Sequence, residues 1–252
     1  MKATADYIYG IHAVEAAIKQ APENITVIYA QAERQDKRLI NLINLAKSAK
    51  IKINHLSQSE MAKQFSDYHH QGVIAKSIGQ RQYHEQDLEI IIKESQQPSL
   101  LLILDGVQDP HNLGACLRSA NAAGVNAVIA PKDRAASITP VVRKVASGAA
   151  EATPFIAVTN LARTLRQLRE MGIWIFGLAG EAEKILYKTD LTVPAALVMG
   201  AEGEGMRRLT REHCDELLFI PMAGSVSSLN VSVAAGICLF EAVRQRSILV
   251  NK

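Results

Sequence analysis

The sequence is poor in cysteine and in aromatic residues. Its 252 residues include three cysteines and one tryptophan, and aromatic side chains make up 5% of the chain. Cys116, Cys214 and Cys238 stand far apart and none belongs to a C-x-x-C pair, so their spacing favours neither a zinc site nor a disulfide framework. Cys238 lies in an apolar helical pattern, which predicts a buried thiol.

Long apolar runs and an excess of one charge are also missing. No apolar run approaches the roughly 20 residues that a helix needs to cross a bilayer. The N-terminal stretch MKATADYIYG has no apolar segment typical of a signal peptide, so we expect a cytoplasmic protein without membrane contact. The net charge of +3 permits nucleic-acid binding but does not require it.

Several common catalytic motifs do not occur in the chain. We find no G-x-x-x-x-G-K-[ST], no G-x-S-x-G and no H-E-x-x-H, which argues against a P-loop enzyme, an α/β-hydrolase and a zinc protease. Five of the seven histidines precede residue 85, and only His111 lies beside a candidate site. We therefore expect no metal centre.

Hydrophobic patterning predicts two α/β domains joined by a linker. Residues 1–78 alternate helical and strand patterns, and Ser57 with Glu60 predicts a capping box. Residues 79–99 are polar and are interpreted as a linker. From residue 100 the run LLLIL is typical of a parallel strand that is covered on both faces, and the alternation that follows predicts a doubly wound α/β domain over residues 100–252.

The second domain carries short apolar runs separated by helical patterns. Gly124 and Gly172 follow two of the helices where C-terminal caps belong. The predicted strands are 100–104, 127–130, 155–158, 173–176, 196–199 and 217–221, and the predicted helices are 112–123, 138–149, 161–171 and 231–246.

The first unusual strand end is DGVQDPHNLGACLR, at residues 105–118. Asn112 is placed to cap the next helix, and Arg118 follows less than two turns later. In open α/β sheets, ligands gather at the carboxyl ends of the strands. An ordinary capped helix with a surface arginine explains this stretch equally well.

The second is MGAEGEGM, at residues 199–206. Its glycines follow G-x-x-G-x-G rather than the dinucleotide pattern G-x-G-x-x-G, and Glu202 and Glu204 would repel a pyrophosphate. A cofactor without phosphates and with a positive centre, such as the sulfonium of S-adenosylmethionine (SAM), suits this loop better. A simple glycine-rich turn is the alternative.

The third is IPMAGSVSSLN, at residues 220–230, which leads into the last helix. Asn230 is placed to cap that helix. The small residues before it would let the backbone approach a flat group such as an adenine.

Together these loops resemble a known family. The patterns D-P-x-N-x-G-x-x-x-R, M-G-x-E-x-x-G-M and I-P-M-x-G-S-V-x-S-L-N-V-S-x-A are similar to the three motifs of the SpoU (TrmH) branch of the SPOUT RNA 2'-O-methyltransferases. The runs YGIHAVE (9–15) and HQGVIA (70–75) resemble the N-terminal substrate domain of that branch, which is related to ribosomal protein L30e. The resemblance covers the whole chain, and no motif position departs from the pattern.

The resemblance implies a fold and an activity that spacing alone does not. The implied fold is a C-terminal SPOUT domain with a deep trefoil knot around a mainly parallel sheet, plus a small L30e-like α/β domain. The long runs around the second and third motifs are most similar to enzymes that methylate a guanosine ribose of 23S ribosomal RNA, in the peptidyl-transferase region, during large-subunit maturation. The implied cofactor is SAM without a metal, and the implied assembly is a homodimer with its sites near the interface.

The resemblance also implies roles for individual residues. Because a guanidinium stays protonated, we expect Arg118, from either chain of the dimer, to hold a substrate phosphate and to stabilise the forming alkoxide, while a water or phosphate oxygen takes the proton. Asn112 would position Arg118 or the ribose, Glu202 would orient Arg118 or Asn112, and Ser228 and Asn230 would hold the loop and the substrate. The expected cofactor contacts are Gly200, Ile220 and Leu229, with Met199, Met222 and Ser227 beside them.

The N-terminal domain would grip RNA by shape, stacking and phosphate contacts. A solvated surface is an equally good interpretation of each candidate there, because residues 1–97 carry 12 basic and 11 acidic side chains. The candidates are Tyr7, Tyr9, Arg34, Lys37 and Arg38.

Three other functions compete with this hypothesis. They are methylation of tRNA instead of ribosomal RNA, a non-catalytic RNA-binding role in ribosome assembly, and a nucleotide-dependent oxidoreductase. The missing G-x-G-x-x-G pattern and the acidic glycine loop argue against the oxidoreductase. The complete set Asn112, Glu202 and Asn230 argues against the non-catalytic role.

Overall fold

The structure is a computed structural model that describes residues 6–20, 22–32, 34, 36–66, 68, 70–77 and 83–250. The chain forms two compact units, Met1–Gln82 and Tyr83–Lys252. Of the linker predicted over 79–99, residues 79–82 lie outside the described residues, and the rest belongs to the second unit. Leu88 is buried in the core of that unit, and Tyr83 forms a parallel bridge with Ile156.

The first unit is a four-stranded sheet with helices on both faces. Its order is β1-β4-β2-β3, in which only the pairing of β2 with β3 is parallel. The strands are β1 (Asp6–Tyr9), β2 (Ile25–Gln31), β3 (Ile53–Leu56) and β4 (Val73–Ser77), and the helices are α1 (Ile11–Gln20), α2 (Lys37–Ser48) and α3 (Gln58–Gln64).

Alternating side chains of β4 supply the two cores of this unit. Val73 packs with the helices α1 and α2, and Ile74 packs with Met61 of α3, because successive side chains of a strand point to opposite faces. The predicted capping box at α3 is confirmed: Glu60 N donates to Ser57 Oγ at 3.3 Å, and Ser57 N donates to Glu60 Oε2 at 2.8 Å.

The second unit is a seven-stranded sheet in which every recorded pairing is parallel. Its order is β7-β6-β5-β10-β8-β11-β9. The strands are β5 (Leu100–Asp105), β6 (Ala127–Pro131), β7 (Phe155–Val158), β8 (Trp174–Leu178), β9 (Lys184–Ile185), β10 (Ala195–Gly200) and β11 (Glu216–Phe219). The helices are α4 (Leu88–Lys93), α5 (Pro110–Ala122), α6 (Pro140–Ala146), α7 (Ala149–Ala152), α8 (Leu161–Glu170), α9 (Arg208–Glu212) and α10 (Val231–Val250).

Helices cover both faces of this sheet, as the apolar run LLLIL predicts. Leu102 and Leu104 pack with α5, α6 and α10, whereas Leu101 and Ile103 pack with α4 and α8. All four side chains are fully buried. The doubly wound, parallel architecture predicted from the sequence is therefore confirmed.

Some predicted elements have different bounds in the structure. The helix predicted over 138–149 is broken between α6 and α7, where Ser147 and Gly148 adopt left-handed φ angles of 51° and 90°. The sequence patterns also missed β9 and α9. Gly124 and Gly172 do follow helices with positive φ, as predicted. Within the described residues, no helix is both long and apolar enough to cross a membrane.

Candidate active site

The three unusual loops follow β5, β10 and β11 of the parallel sheet. β5 and β10 are hydrogen-bonded neighbours, and Gly200 at the end of β10 is in register with Asp105 at the end of β5. The chain runs outward from β5 through β6 and β7, and the strands on the other side of β5 come later in sequence. This reversal is the kind of position where open α/β sheets bind ligands.

The start of α5 corrects one prediction from the sequence. Asp109, not Asn112, is the N-cap: its Oδ1 accepts a hydrogen bond from His111 N at 2.8 Å, and Pro110 occupies the first turn. That backbone N–H lowers the pKa of Asp109 below its usual value. Asn112 lies inside the helix and is 8% exposed, so its amide is free to serve another contact.

That contact is a closed network of three side chains from the three loops. Asn230 Nδ2 donates to Glu202 Oε1 at 2.7 Å and to Asn112 Oδ1 at 2.9 Å. Asn112 Nδ2 donates to the same Glu202 oxygen at 3.1 Å. Each residue contacts the other two, so the network joins the start of α5, the loop after β10 and the start of α10.

Asn230 also caps α10, as the sequence predicts. Its Oδ1 accepts hydrogen bonds from Ser232 N at 2.9 Å and from Ser232 Oγ at 2.6 Å. The two ends of one amide therefore have different tasks. The oxygen fixes the helix, and the nitrogen fixes Glu202 and Asn112.

Gly200 lets the loop that carries Glu202 fold back on its own strand. The loop closes through Ala201 N to Gly205 O at 3.0 Å and Gly205 N to Ala201 O at 2.9 Å. A Cβ on Gly200 would lie 2.2 Å from the Gly205 carbonyl carbon. Only glycine therefore fits at this position without displacement of the loop.

A buried carboxylate and an arginine also hold this loop, and sequence reasoning assigned neither of them a role. Asp105 Oδ2 accepts a hydrogen bond from Arg207 N at 2.8 Å, and Arg207 Nε lies 3.5 Å from Asp105 Oδ1. The signal in the sequence is the acidic residue that ends the otherwise apolar run LLLILD.

The serine-rich loop is exposed over residues 221–228. Met222, Ser227 and Ser228 are all exposed, whereas Ile220 and Leu229 at its ends are partly buried. Ser227 O lies 3.9 Å from the position of a Cβ on Gly180, so the loop passes the end of β8.

The structure does not bring Arg118 to the network. Arg118 is exposed, and it forms no hydrogen bond or ion pair with any described residue. It lies six positions beyond Asn112 on α5, about 9 Å along the helix axis. The family resemblance implies that Glu202 orients either Arg118 or Asn112, and in the structure Glu202 contacts Asn112.

The cysteines and His111 do not provide a nucleophile or a metal site near the network. Burial raises the pKa values of Cys116, Cys214 and Cys238 to about 12, so these thiols stay protonated near neutral pH. His111 is exposed, with its Nδ1 3.2 Å from Asp109 Oδ1. Within the described ranges, no group of three or more His, Cys, Asp or Glu side chains could hold a metal ion.

The candidates in the first unit differ in their surroundings. Tyr9 is 46% exposed, and Tyr7 packs edge-on against Phe65 with ring centroids 5.5 Å apart. Arg34 Nη1 donates to Gln71 O at 2.6 Å. Lys37 and Arg38 are exposed in the first turn of α2.

Comparison with known proteins assigns both units. Residues 99–240 match the profile of the SpoU rRNA Methylase family, and residues 7–82 match the RNA 2'-O ribose methyltransferase substrate binding domain. The chain is 59% identical over 243 residues to the 23S rRNA (guanosine-2'-O-)-methyltransferase RlmB of Escherichia coli K12, which covers 96% of this chain and all of the relative. It is 56% identical to RlmB of Yersinia pestis over 97% of this chain and 99% of the relative.

Solved structures have the same fold. The SpoU methyltransferase AviRb from Streptomyces viridochromogenes, in complex with AdoMet, aligns with a TM-score of 0.71 over 97% of this chain and 91% of its own, at 23% identity. The TrmH/SpoU tRNA modifying enzyme of A. aeolicus aligns with a TM-score of 0.57 over 66% of this chain and 85% of its own, at 30% identity. The three motif loops, the substrate-binding unit and these matches agree, and the chain belongs to the SpoU rRNA methylase family.

Proposed function

We propose that the chain transfers a methyl group from SAM to the 2'-hydroxyl of a guanosine in 23S ribosomal RNA. The observation that carries this proposal is the 59% identity with a 23S rRNA guanosine methyltransferase over nearly the full length of both chains. The network of Asn112, Glu202 and Asn230 supports it, because it joins the three motif loops at one end of the sheet. We also propose the trefoil knot that the family resemblance implies, and the cytoplasm as the compartment of such an RNA substrate.

The loops at this end of the sheet fit SAM better than a nucleotide diphosphate. Residues 105–112, 200–207 and 220–230 carry four carboxylates and a single arginine or lysine, a balance that suits a sulfonium and repels a pyrophosphate. Gly200 leaves backbone rather than a side chain under the folded-back loop. We propose that Gly200, Ile220 and Leu229 hold the cofactor, with Met199, Met222 and Ser227 beside them, and that SAM supplies an electrophilic methyl group.

The chain must hold the ribose and stabilise the charge that develops on its 2'-oxygen. Arg118 is suited to bind a phosphate and the developing oxyanion, because it is exposed and forms no hydrogen bond or ion pair with described residues. Glu202 and Asn230 fix the amide of Asn112, and we propose that Asn112 in turn orients the ribose. Ser228, which is exposed on the third loop, would contact the substrate.

We propose that the active enzyme is a homodimer with Arg118 acting on the partner's site. Exposed apolar side chains form a stripe along α10, where Val233, Phe240 and Ile248 are 50%, 49% and 48% exposed. Such a stripe is typical of a helix that packs against another chain. α5 packs closely on α10, since a Cβ on Gly236 would lie 3.7 Å from Ser119 Oγ, and Arg118 directly precedes Ser119 in the sequence.

Mixing two inactive variants tests this arrangement. Arg118→Ala and Glu202→Ala chains would each be inactive alone. If Arg118 acts in trans, random reassortment restores about a quarter of wild-type turnover, because half of the dimers are mixed and each mixed dimer has one intact site. No recovery from a mixture that sedimentation shows to be reassorted dimers would place Arg118 in its own chain's site.

We propose that the predicted N-terminal domain, residues 1–78, binds the RNA. Exposed Tyr9 offers a stacking surface, and Lys37 and Arg38 offer phosphate contacts. The tRNA alternative has support from the A. aeolicus tRNA modifying enzyme, whose similarity covers 66% of this chain.

Methyl transfer from labelled SAM separates these substrates. The purified chain is incubated with 23S rRNA fragments and, in parallel, with tRNA, and incorporated label is counted. We expect label in the ribosomal RNA. Label in tRNA alone would establish the tRNA alternative. If the chain binds RNA but neither transfers a methyl group nor binds SAM, the non-catalytic role would be established.

A further inference from the structure

Asp105 is a buried carboxylate that lacks a full set of partners. Its side chain is fully buried, and one oxygen, Oδ2, accepts the hydrogen bond from Arg207 N. The other oxygen, Oδ1, has no hydrogen-bond partner among the described residues. A buried carboxylate is costly unless a cation compensates it, and the cation at hand is the Arg207 guanidinium, 3.5 Å from Oδ1.

Arg207 spans the ends of three neighbouring strands. Its backbone follows the loop after β10, its Nε lies beside Asp105 at the end of β5, and its Nη2 donates to Asp133 O, after β6, at 3.3 Å. The side chain is 43% exposed. A guanidinium has five N–H donors, and the bond to Asp133 is the one side-chain hydrogen bond of Arg207 within the described residues. Most of its donors therefore remain available to a ligand.

The position of Arg207 matters because the three loops are otherwise acidic. Residues 105–112 and 199–206 contain Asp105, Asp109, Glu202 and Glu204 and no arginine or lysine, residues 220–230 carry no charge, and Arg207 directly follows the second loop. A polyanionic substrate that enters this end of the sheet meets repulsion from the exposed carboxylates. Arg207, an exposed guanidinium with free donors, is able to offset this repulsion together with Arg118 on α5, and Arg is well suited to bind phosphate through paired N–H groups.

We propose that Arg207 binds a phosphate of the RNA next to the methylated nucleotide, and that Asp105 is the positioning residue that holds Arg207 ready. This inference rests on the proposed function, because it requires an RNA substrate at this site. Asp105 anchors the Arg207 backbone through Oδ2, and its charge keeps the side chain over the strand ends. The long Nε–Oδ1 distance leaves the guanidinium able to pair with a phosphate.

Neighbouring arginines provide a matched pair of variants. Arg208 follows directly, is 84% exposed in its side chain and pairs with Glu212 at 3.2 Å on α9. Arg207→Gln and Arg208→Gln remove the same charge one residue apart. RNA affinity is measured by filter binding to a 23S rRNA fragment over a range of salt concentrations, and SAM affinity is measured by calorimetry.

We expect Arg207→Gln to weaken RNA binding about tenfold, as the loss of a charge-assisted hydrogen bond does. It should also reduce the slope of log affinity against log salt by about 0.7–0.9, the value of one phosphate contact. SAM affinity should not change, because Arg207 is proposed to bind an RNA phosphate and not the cofactor. Arg208→Gln should leave all three quantities at wild-type values, and Arg207→Lys should keep the slope while losing part of the affinity.

Asp105 is tested through its coupling to Arg207. Asp105→Asn keeps the shape and an acceptor for Arg207 N, and we expect a higher KM for RNA with little change in kcat. If Asp105 acts through Arg207, the double variant Asp105→Asn with Arg207→Gln loses no more RNA affinity than Arg207→Gln alone. Additive losses would show that Asp105 acts independently and would overturn its assignment as a positioning residue.

Wild-type methyl transfer tests the proposed function, and the RNA affinity of Arg207→Gln tests the role of Arg207. If the wild-type chain transfers no methyl group to RNA, the proposed function fails. If the wild-type chain is active and Arg207→Gln keeps the wild-type RNA affinity and salt slope, this inference alone fails. A loss of SAM affinity with an unchanged salt slope would make Arg207 a support for the loop and not a phosphate ligand.

Discussion

The substitution Asn230→Asp separates the two tasks of the Asn230 amide. Asp is as good an N-cap as Asn, so the contacts of Oδ1 with Ser232 survive. The nitrogen that donates to Glu202 and Asn112 becomes an oxygen. A carboxylate then faces the Glu202 carboxylate across a contact that was 2.7 Å long.

The magnitude follows from the two lost hydrogen bonds. A hydrogen bond to a charged group contributes about 1.5–3 kcal/mol and a neutral one about 0.5–1.5 kcal/mol. Because Glu202 and Asn230 are both exposed, solvent screens this loss, and we expect the free energy of unfolding of the second unit to fall by about 1–2 kcal/mol. Turnover should fall on the order of 10²-fold or more, since the amide of Asn112 loses its fixed orientation.

Unfolding in urea, followed by tryptophan fluorescence, measures the stability change. The single tryptophan, Trp174, lies in β8, so its signal reports on the second unit. Methyl transfer from labelled SAM measures the change in turnover. Asn230→Ala is the comparison for the cap, and it should cost about 1 kcal/mol more because Ser232 also loses its acceptor.

A second substitution tests whether the network itself is responsible. Glu202→Gln supplies a donor opposite the carboxylate introduced at position 230, so the double variant Asn230→Asp with Glu202→Gln should recover part of the lost stability. Equal urea midpoints and equal turnover for Asn230→Asp and the wild type would show that the Asn230 nitrogen neither stabilises the second unit nor orients Asn112. Additive losses in the double variant would show that the two side chains are not coupled.

Substitutions at Arg118, Gly200 and Arg246, and labelling of the cysteines, test other parts of the second unit. Arg118→Lys should lower kcat on the order of 10²-fold while SAM affinity is retained, and near-normal turnover would rule out an orienting guanidinium. Gly200→Ala should abolish SAM binding in calorimetry, because its Cβ would meet the Gly205 carbonyl carbon at 2.2 Å. Arg246→Lys should lower the urea midpoint of the second unit, since the guanidinium donates to the backbone carbonyls of residues 98, 99, 191 and 193 and a lysine cannot reach all of them. The thiols of Cys116 and Cys238, which are buried and have pKa values raised to about 12, should react with a thiol reagent near pH 8 only after unfolding, and rapid labelling of the folded chain would contradict their burial. The stability that these raised pKa values contribute should be complete below about pH 9 and decline as the pH rises towards 12.

The layers of the fold could be predicted from the sequence because burial leaves a local signal. The run LLLIL is apolar at every position, and a strand needs that only if helices cover both of its faces. The start of α5 was also readable: Asp109 followed by Pro110 is a strong N-cap signal, and it was Asn112 that drew the wrong prediction. The break between α6 and α7 also has a local signal, the turn dipeptide Ser147-Gly148, and the prediction of one helix over 138–149 overlooked it.

The site could be predicted only in part, because its contacts are not local. Asn112 and Asn230 are separated by 118 positions, and no periodicity relates them. The family resemblance named these residues, but it did not say that Glu202 contacts Asn112 rather than Arg118. The pairing of Asp105 with Arg207 depends on the register of β5 against β10, which the sequence patterns did not address.

The identity of the methylated atom distinguishes a ribose 2'-O-methyltransferase from a base methyltransferase. A 23S rRNA fragment methylated by the chain with labelled SAM is digested to nucleosides, and a second portion is hydrolysed in alkali, which cannot cleave the chain after a 2'-O-methylated ribose. We expect the label in 2'-O-methylguanosine and in an alkali-resistant dinucleotide. Label on a base, or in alkali-sensitive nucleotides, would contradict this expectation.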